Sequence, residues 1–375
     1  MALNASTYSG KQFAVYLAAE EATGTFNTTD ASFRRVDVEG ITFPSFSPSQ
    51  EFEMRSGSGR IAEFDQVFAT TKRVMTEFTL TGRLTRELWL ILCENATGYE
   101  FDGGTDNSVL TLPYNYGGLG FKVGTNPTNA TDYSHLLSVY FSAPTVSDSY
   151  SLKSCTCTNF NISADMDTAG GRFNYSATFQ TWSQPAKAEQ SGLVAAATAI
   201  GSNFVYLSEA DEKHMDITNY DGSSDEADTY PLFKSFSTTI DCPTQFLGAT
   251  GVNAEPEVWG KALPELSITW GGSAKYDEEL DNLVEAFRDA GSGTALSYLS
   301  FYLADVDKAG GTYEAPTGAF FGTPSTTYFG MSFAKSKLIS CEVSSDDVSM
   351  VNFEAKVLAP TSGNAVHFLA GDNAS

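Results

Sequence analysis

The sequence has few basic side chains. It contains 22 lysines and arginines against 46 aspartates and glutamates, a formal net charge of −24. Proteins bind the phosphate backbone of nucleic acids through clustered Lys and Arg, and here those residues are few and scattered. The composition therefore argues against conventional nucleic-acid binding. It is compatible with the opposite use, a surface that repels DNA.

Long apolar runs are also missing. A transmembrane helix needs about 20 apolar residues, and the longest candidate covers only residues 88–93. The first 11 residues lack the basic start and apolar middle of a secretory signal. We expect a chain that does not span a membrane and is not exported by that route.

Cysteine and histidine are scarce, with five and three residues. An odd number of cysteines in a long chain does not describe a disulfide framework, so we expect reduced thiols and an intracellular origin. No zinc-binding spacing, nucleophile elbow or phosphate loop appears, and the Gly-Ser-Gly at 57–59 lacks the Lys that a phosphate loop needs. The sequence predicts no catalytic residue, no cofactor and no metal site.

The acidic residues allow two further interpretations. Clusters at 165–167 and 216–228 have hard oxygen ligands for Ca²⁺, but neither has the EF-hand spacing, which favours solvated loops. A carboxylate pair for glycoside hydrolysis stays open, because the distance between two carboxylates is a spatial property.

The chain is rich in aromatic and other apolar residues, including 27 Phe and 17 Tyr within an apolar fraction of 42%. Apolar and polar residues alternate in most segments, as at 78–81 and 266–270. Alternation with a period of two places one face of a strand in a core and the other outward. The sequence predicts a mainly β protein.

Four short segments recur in the same order along the chain. The pairs are residues 13–17 and 203–207, 137–141 and 299–303, 152–155 and 338–341, and 173–179 and 351–357. Ordered similarity of this kind indicates a tandem duplication. Ser183-Gln184-Pro185 and the small residues that follow mark the boundary. We therefore predict two β domains, 1–190 and 191–375.

Each copy also carries one helical pattern, just after an alternating strand. Apolar residues recur at helical spacing, and they are Leu84, Leu88, Ile91 and Leu92 in the first copy and Leu280, Leu283, Val284 and Phe287 in the second. Helices are predicted near 84–95 and 277–290, each packed on its own sheet.

The predicted organisation resembles a tail tube protein of a long-tailed bacteriophage. It has two strand-rich copies with one flanking helix each, an acidic balance, no active-site motif and no export signal. The resemblance covers the whole chain at the level of organisation. It implies two tandem β-sandwich or barrel tube domains, each with a helix on its flank. Three such chains would complete a ring of six domains, and rings would stack around a channel for DNA.

The resemblance also implies partners and a location. The chain would bind other copies of itself, and would meet tape measure, tail terminator and baseplate proteins in a virion tail assembled in the host cytoplasm. DNA would pass through transiently and without sequence specificity.

A long loop or hairpin reaches the neighbouring subunit in that family, and the matching stretch here is 44–71. Its candidate contact residues are Phe52, Arg55, Gly57, Gly59, Arg60, Ile61 and Phe64. The counterpart at 240–263 is shorter, contains Pro243 and Pro256, and has a different charge pattern. We expect 44–71 to become ordered on assembly.

Two alternatives belong to other functional classes. A virion-surface or secreted adhesin could bind glycans through aromatic loops such as Tyr114-Asn115-Tyr116. A duplicated β-sandwich hydrolase would fit the size. Particle-bound polymer, retention on glycans and turnover of carbohydrates, respectively, distinguish the three.

Overall fold

The structure is a computed structural model of the chain, and it describes the positions of part of the residues. The described residues are 12–20, 24–44, 50–52, 67–69, 75–98, 108–113, 119–122, 136–183, 185–187, 204–207, 215–220, 225–229, 232–247, 258–261, 266–276, 280–281, 284–285, 298–304, 329–345, 349–358 and 364–370.

The fold is mainly β, which confirms the predicted class. The strands up to residue 187 are β1 (Ala14–Ala19), β2 (Arg34–Val36), β3 (Gly40–Thr42), β4 (Gln50–Phe52), β5 (Val67–Ala69), β6 (Thr76–Arg83), β7 (Ser108–Pro113), β8 (Leu119–Lys122), β9 (Leu137–Ser142), β10 (Tyr150–Asp165), β11 (Asn174–Thr181) and β12 (Ala186–Lys187). Those that follow are β13 (Met215–Tyr220), β14 (Asp225–Thr229), β15 (Phe233–Asp241), β16 (Thr244–Leu247), β17 (Val258–Lys261), β18 (Ser267–Lys275), β19 (Tyr298–Ala304), β20 (Phe329–Ser345), β21 (Ser349–Val357) and β22 (Asn364–Ala370).

The first predicted helix is confirmed as α1, Arg86–Thr97. Thr85 caps its start by accepting a hydrogen bond from the Leu88 amide at 3.3 Å, which satisfies a donor that has no partner within the helix. Gly98 ends it in the left-handed region at φ 80°, where glycine has no steric cost. Of the second predicted helix, the described residues 280–281 and 284–285 are helical.

Most of the strands up to residue 187 form two antiparallel groups that share β10. One group has the order β2, β1, β9, β10 and β12, and the other has the order β10, β11, β6 and β3. The strand β10 belongs to both because its first part pairs with β9 and its second part with β11.

Most of the strands from residue 215 onward pair in the same order. One group runs β14, β13, β19, β20 and β22, and the other runs β20, β21, β18 and β15. The long strand β20 thus takes the position that β10 takes in the first set.

Two irregularities in β10 also recur in β20. The pairing of β10 shifts after Leu152 and again after Cys157. The pairing of β20 shifts after Phe333 and again after Leu338. Each shift in β20 lies 181 positions after its counterpart in β10 (333 − 152 and 338 − 157), so the two strands correspond residue by residue.

The strand pairing agrees with the sequence matches to different degrees. Residues 137–141 and 299–303 lie on β9 and β19 in the same register against β10 and β20. Residues 14–17 lie on β1, whose counterpart by pairing is β13. In the segment 204–207, by contrast, Phe204 forms an isolated β-bridge with Thr85, and Tyr206 forms one with Arg172. The division into two domains stays a prediction.

The two strand sets join directly. The second part of β10 pairs with β15, β7 pairs with β22, and β8 pairs with β17. One extended cluster of buried apolar side chains spans both sets. Trp89 of α1 shows this continuity, because its ring lies 5.8 Å from Phe160 and 5.0 Å from Phe329.

Candidate assembly surface

The predicted contact loop includes a short hairpin. Phe52 lies on β4, where its backbone pairs with Val67 of β5, and Gln50 pairs with Ala69. These two strands form a sheet of their own among the described residues. The other candidates, Arg55, Gly57, Gly59, Arg60, Ile61 and Phe64, lie outside the described residues. Their role in assembly stays a prediction.

The counterpart at 240–263 also contains a hairpin. Strands β16 and β17 pair from Thr244 with Lys261 to Leu247 with Val258. The other edge of β17 pairs with β8 from the first strand set. Both hairpins occupy the same place in the chain, one between β3 and β6 and the other between β15 and β18.

The contact between β10 and β15 joins unlike edges of the two strand sets. It is antiparallel and continuous from Asn159 opposite Asp241 to Asp165 opposite Ser235. Its apolar face is fully covered. Ile162 is 1% exposed and lies opposite Thr238, which is 2% exposed.

Polar groups reinforce this contact on its other face. The Asn161 side-chain amide donates to the Thr239 hydroxyl at 2.7 Å. A hydrogen bond between neighbouring strands fixes their register as well as adding stability. The chain therefore already contains one complete, specific contact between unlike strand edges.

Strand β3 corresponds to β15 but has a neighbour on one side only. Within the described residues, β15 pairs with β18 at one edge and β10 at the other, whereas β3 pairs with β6 alone. We call residues 40–44, which are β3 and the two residues after it, the β3 outer edge.

Strand β20 likewise has a stretch with a single neighbour. Its residues 336–345 pair with β21, while its pairings with β19 and β22 end at Ser336 and Phe333. In the described part of the chain, nothing pairs with the opposite side of residues 337–345. We call this stretch the β20 outer edge.

Both outer edges carry exposed apolar side chains. Ile339 is 51% exposed, Val343 is 47% exposed and Phe43 is 37% exposed. The Phe43 ring contacts Phe13, with centroids 4.9 Å apart, so only part of it is free to meet another surface. Open strand edges with apolar side chains favour pairing with another chain.

A partly buried polar cluster holds the chain just before β3. Arg83 of β6 forms an ion pair with Asp37, and the Tyr175 hydroxyl donates to the Asp37 carbonyl at 2.9 Å. The hydrogen bond to Asp37 raises the pKa of Arg83, and burial raises the pKa of Tyr175 well above its ordinary value. The Glu39 amide donates to the Thr81 carbonyl at 2.7 Å. These contacts fix where the β3 outer edge lies.

A second buried group holds the bend in β10. The Glu20 carboxylate is 1% exposed and accepts hydrogen bonds from the amides of Gly24 and Ser154. Ser154 has a φ of 55°, which is uncommon for a residue other than glycine. The carboxylate stabilises this bulge, from which β10 turns from one strand group into the other.

Chemistry-bearing groups are sparse in the described ranges. They contain no group of three or more His, Cys, Asp or Glu side chains that could hold a metal ion. Asp167 of the predicted acidic cluster pairs with Lys234 at 3.1 Å, as expected for a solvated loop. His367 is buried, which lowers its pKa to about 4.

The described residues contain no helix that is both long and apolar enough to cross a membrane.

The exposed edge residues were not among the candidates from the sequence. Ile339, Cys341 and Val343 recur with a period of two. This pattern predicts a strand with one buried face. It does not indicate whether the covering surface comes from the same chain, so the sequence carried no signal for an open edge.

No family model matches the chain. A segment of 86 residues, 22% of the chain, is 36% identical to the "16S rRNA endonuclease CdiA" of Enterobacter cloacae subsp. cloacae. The chain spans about 2% of the length of that relative.

Proposed function

We propose that this chain is a structural protein that assembles into rings and tubes, as the tail tube protein of a long-tailed bacteriophage does. Three copies would form a ring with six similar strand sets, and stacked rings would enclose a channel for DNA. The chain acts by self-association, without catalysis and without a cofactor.

The observation that carries this proposal is the internal contact between β10 and β15. It joins two strand sets with the same pairing order through unlike edges. A head-to-tail contact of this kind leaves one edge of each type unused at the two ends of the unit. Such contacts generate closed rings when the rotation divides a full turn, and open filaments otherwise.

The low basic content supports a role beside DNA rather than a role in binding it. A net charge of −24 repels a polyanion and avoids the counterion release through which basic proteins hold DNA. A channel for DNA needs this property, because a sticking contact would slow passage. The same charge also favours solubility before assembly.

The partners and location follow from this proposal. Other copies of the chain are the main partner, the ends of the tube would meet tape measure, terminator and baseplate proteins, and the protein would reside in the virion tail after assembly in the host cytoplasm. The hairpins β4–β5 and β16–β17 occur at equivalent places along the two strand sets. They suit contacts between neighbouring subunits.

Negative-stain microscopy combined with native mass measurement tests the proposal. We expect rings or tubes, and a ring mass of three chains. A strictly monomeric protein over a wide concentration range, or rings of six chains, would contradict it. Retention on a glycan array without polymer formation would favour an adhesin, and turnover of a carbohydrate panel would favour a hydrolase.

A further inference from the structure

The two outer edges correspond to the two edges that are joined inside the chain. The bulges after Leu152 and Cys157 in β10 match those after Phe333 and Leu338 in β20. This correspondence places Val343 where β10 has Ile162. The partner of β10 is β15, and the counterpart of β15 is β3.

The register of β3 relative to β15 follows from the strands between them. Phe179 pairs with both Cys157 and Phe78, and in the second set Ala355 pairs with both Leu338 and Trp270. Phe78 and Trp270 are therefore equivalent, and both are buried in the core.

The same relation extends one strand further. Ile41 pairs with Leu80, two residues after Phe78. Phe236 pairs with Gly272, two residues after Trp270. Ile41 is thus equivalent to Phe236, and Phe43, two residues along, is equivalent to Thr238.

Exposure differs sharply between the internal contact and the outer edges. Ile162 and Thr238 face each other and are 1% and 2% exposed. Their counterparts Val343 and Phe43 are 47% and 37% exposed. Each lies on an edge whose counterpart inside the chain is paired, so each lacks the neighbouring strand that its counterpart has.

We propose that the β20 outer edge of one copy pairs antiparallel with the β3 outer edge of another copy, in the register that places Val343 opposite Phe43. Thr42 then lies opposite Ser344. The contact repeats the β10–β15 contact between chains, and its occupant is a second copy of this protein.

This pairing satisfies two physical requirements at once. It gives hydrogen-bonding partners to backbone groups along two strand edges, which otherwise present a hazard of uncontrolled association. It also covers two apolar side chains that would lie directly opposite each other, at the distance where cross-strand pairs interact. The two edges are unlike, so a pair of copies keeps one edge of each type available after the first contact. The inference deepens the proposed function and rests on it for the closed ring.

Disulfide trapping tests the register. All variants carry Cys341→Ser, which removes the partly exposed native thiol. A Phe43→Cys chain is mixed with a Val343→Cys chain and oxidised with diamide. A bond between them can form only between copies, and opposite residues of an antiparallel pair have Cα separations that a disulfide accepts. We expect a shift from one chain to two on a nonreducing gel, reversed by reductant.

The controls test a slip of one residue. Thr42→Cys mixed with Val343→Cys places the two thiols on opposite faces of the sheet, so it should give little product. Thr42→Cys mixed with Ser344→Cys restores a facing pair and should link. Thr42 is exposed, so this second pair also serves if either apolar substitution disturbs folding.

The outcomes separate this inference from the proposed function. Rings or tubes without the two facing cross-links would overturn the edge pairing and leave the function standing. Facing cross-links in open chains that never close would support the pairing and contradict the ring. Equal yield from the slipped and facing pairs would overturn the register, and absence of any association would overturn both.

Discussion

Ile162 of β10 and Thr238 of β15 lie directly opposite each other on the buried face of the antiparallel contact between these two strands. The hydroxyl of Thr238 donates to the sulfur of Met331 at 3.4 Å, so the one polar atom of this side chain has a hydrogen-bonding partner within the core. The same positions in β20 and β3 hold Val343 and Phe43, which are partly exposed. The chain therefore offers matched positions that differ mainly in whether a neighbour is present.

The first prediction compares Ile162→Ala with Val343→Ala in dilute protein. Removing the buried side chain leaves a cavity and should lower the free energy of unfolding by about 2–5 kcal/mol. Removing the exposed one should change it by about 0.5 kcal/mol or less. Urea unfolding of both variants gives the two values. Similar losses would show that Val343 is already covered within the single chain.

The second prediction concerns the carboxylate that holds the β10 bulge. Glu20→Gln removes the charge that accepts hydrogen bonds from the Gly24 and Ser154 amides. Hydrogen bonds to a charged group contribute about 1.5–3 kcal/mol, so we expect a loss of about 2 kcal/mol in the free energy of unfolding.

The matched control for that loss is Glu39→Gln, whose side chain is 60% exposed and 4.0 Å from Arg83. An exposed ion pair contributes about 0–1 kcal/mol, so this variant should be close to wild type. Urea unfolding under identical conditions measures both. A loss at Glu39 as large as that at Glu20 would argue against a specific role for the buried carboxylate.

The third prediction is a pH dependence that arises from His367. Burial lowers its pKa from 6.5 to about 4. The folded state therefore binds fewer protons than the unfolded state between these values, and stability from this group is complete above pH 6.5 and falls toward pH 4. The shift corresponds to a loss of about 3 kcal/mol across the window.

Comparison of wild type with His367→Leu isolates this effect from the many carboxylates. The unfolding free energy of each protein is measured from pH 7.5 to pH 4. We expect the wild type to lose more stability than the variant between pH 6.5 and pH 4. Parallel curves would show that His367 is protonated in the folded protein at its ordinary pKa.

The fourth prediction concerns the five cysteines, all of which lie in the described part of the chain as reduced thiols. Cys93, Cys155, Cys157 and Cys242 are buried, and desolvation raises the pKa of Cys93 and Cys155 well above the ordinary value. Thiolates are the reactive species, so these thiols should resist modification in the folded state.

Cys341 is half-buried and should be the first thiol to react with an aromatic disulfide reagent. It lies on the β20 outer edge, so its reaction should slow as the protein concentration rises and copies associate. The Cys341→Ser variant should lose this reaction alone. A rate independent of assembly would place Cys341 outside the contact between copies.

The fifth prediction is that the wall of the channel carries net negative charge and that assembled protein therefore does not retain DNA, even at low salt. Electrostatic attraction to DNA is strongest at low ionic strength, which makes this the most demanding condition. Co-sedimentation of tubes with double-stranded DNA measures retention. Binding that weakens as salt is added would indicate a basic surface, contrary to the proposal.

The sequence predicted the parts of the fold that depend on local pattern. Alternation at 78–81 and 266–270 predicted strands that are present as parts of β6 and β18. The spacing of Leu84, Leu88 and Leu92 predicted α1, and all three side chains are buried. These predictions succeeded because the period of a helix or strand is set by neighbouring residues.

Register was harder to derive from sequence. The segments 152–155 and 338–341 look alike, yet the bulges relate Leu152 to Phe333 rather than to Leu338. A bulge inserts a residue into one strand and shifts every pairing after it. Short stretches of sequence identity do not reveal such shifts, because the hydrogen bonds that define a shift are made with other strands.

The sequence by itself determined that this protein is acidic, mainly β and built around an aromatic-rich core. Composition does not depend on the fold, and periodicity is a property of residues that are neighbours in sequence. Only the tertiary structure decided that Ile162 is covered while Val343 is open, and that β15 has two neighbours while β3 has one. The residues at these positions have the same local patterns. Burial and pairing at a strand edge depend on which distant segment lies beside it, and that is set by the packing of the whole chain.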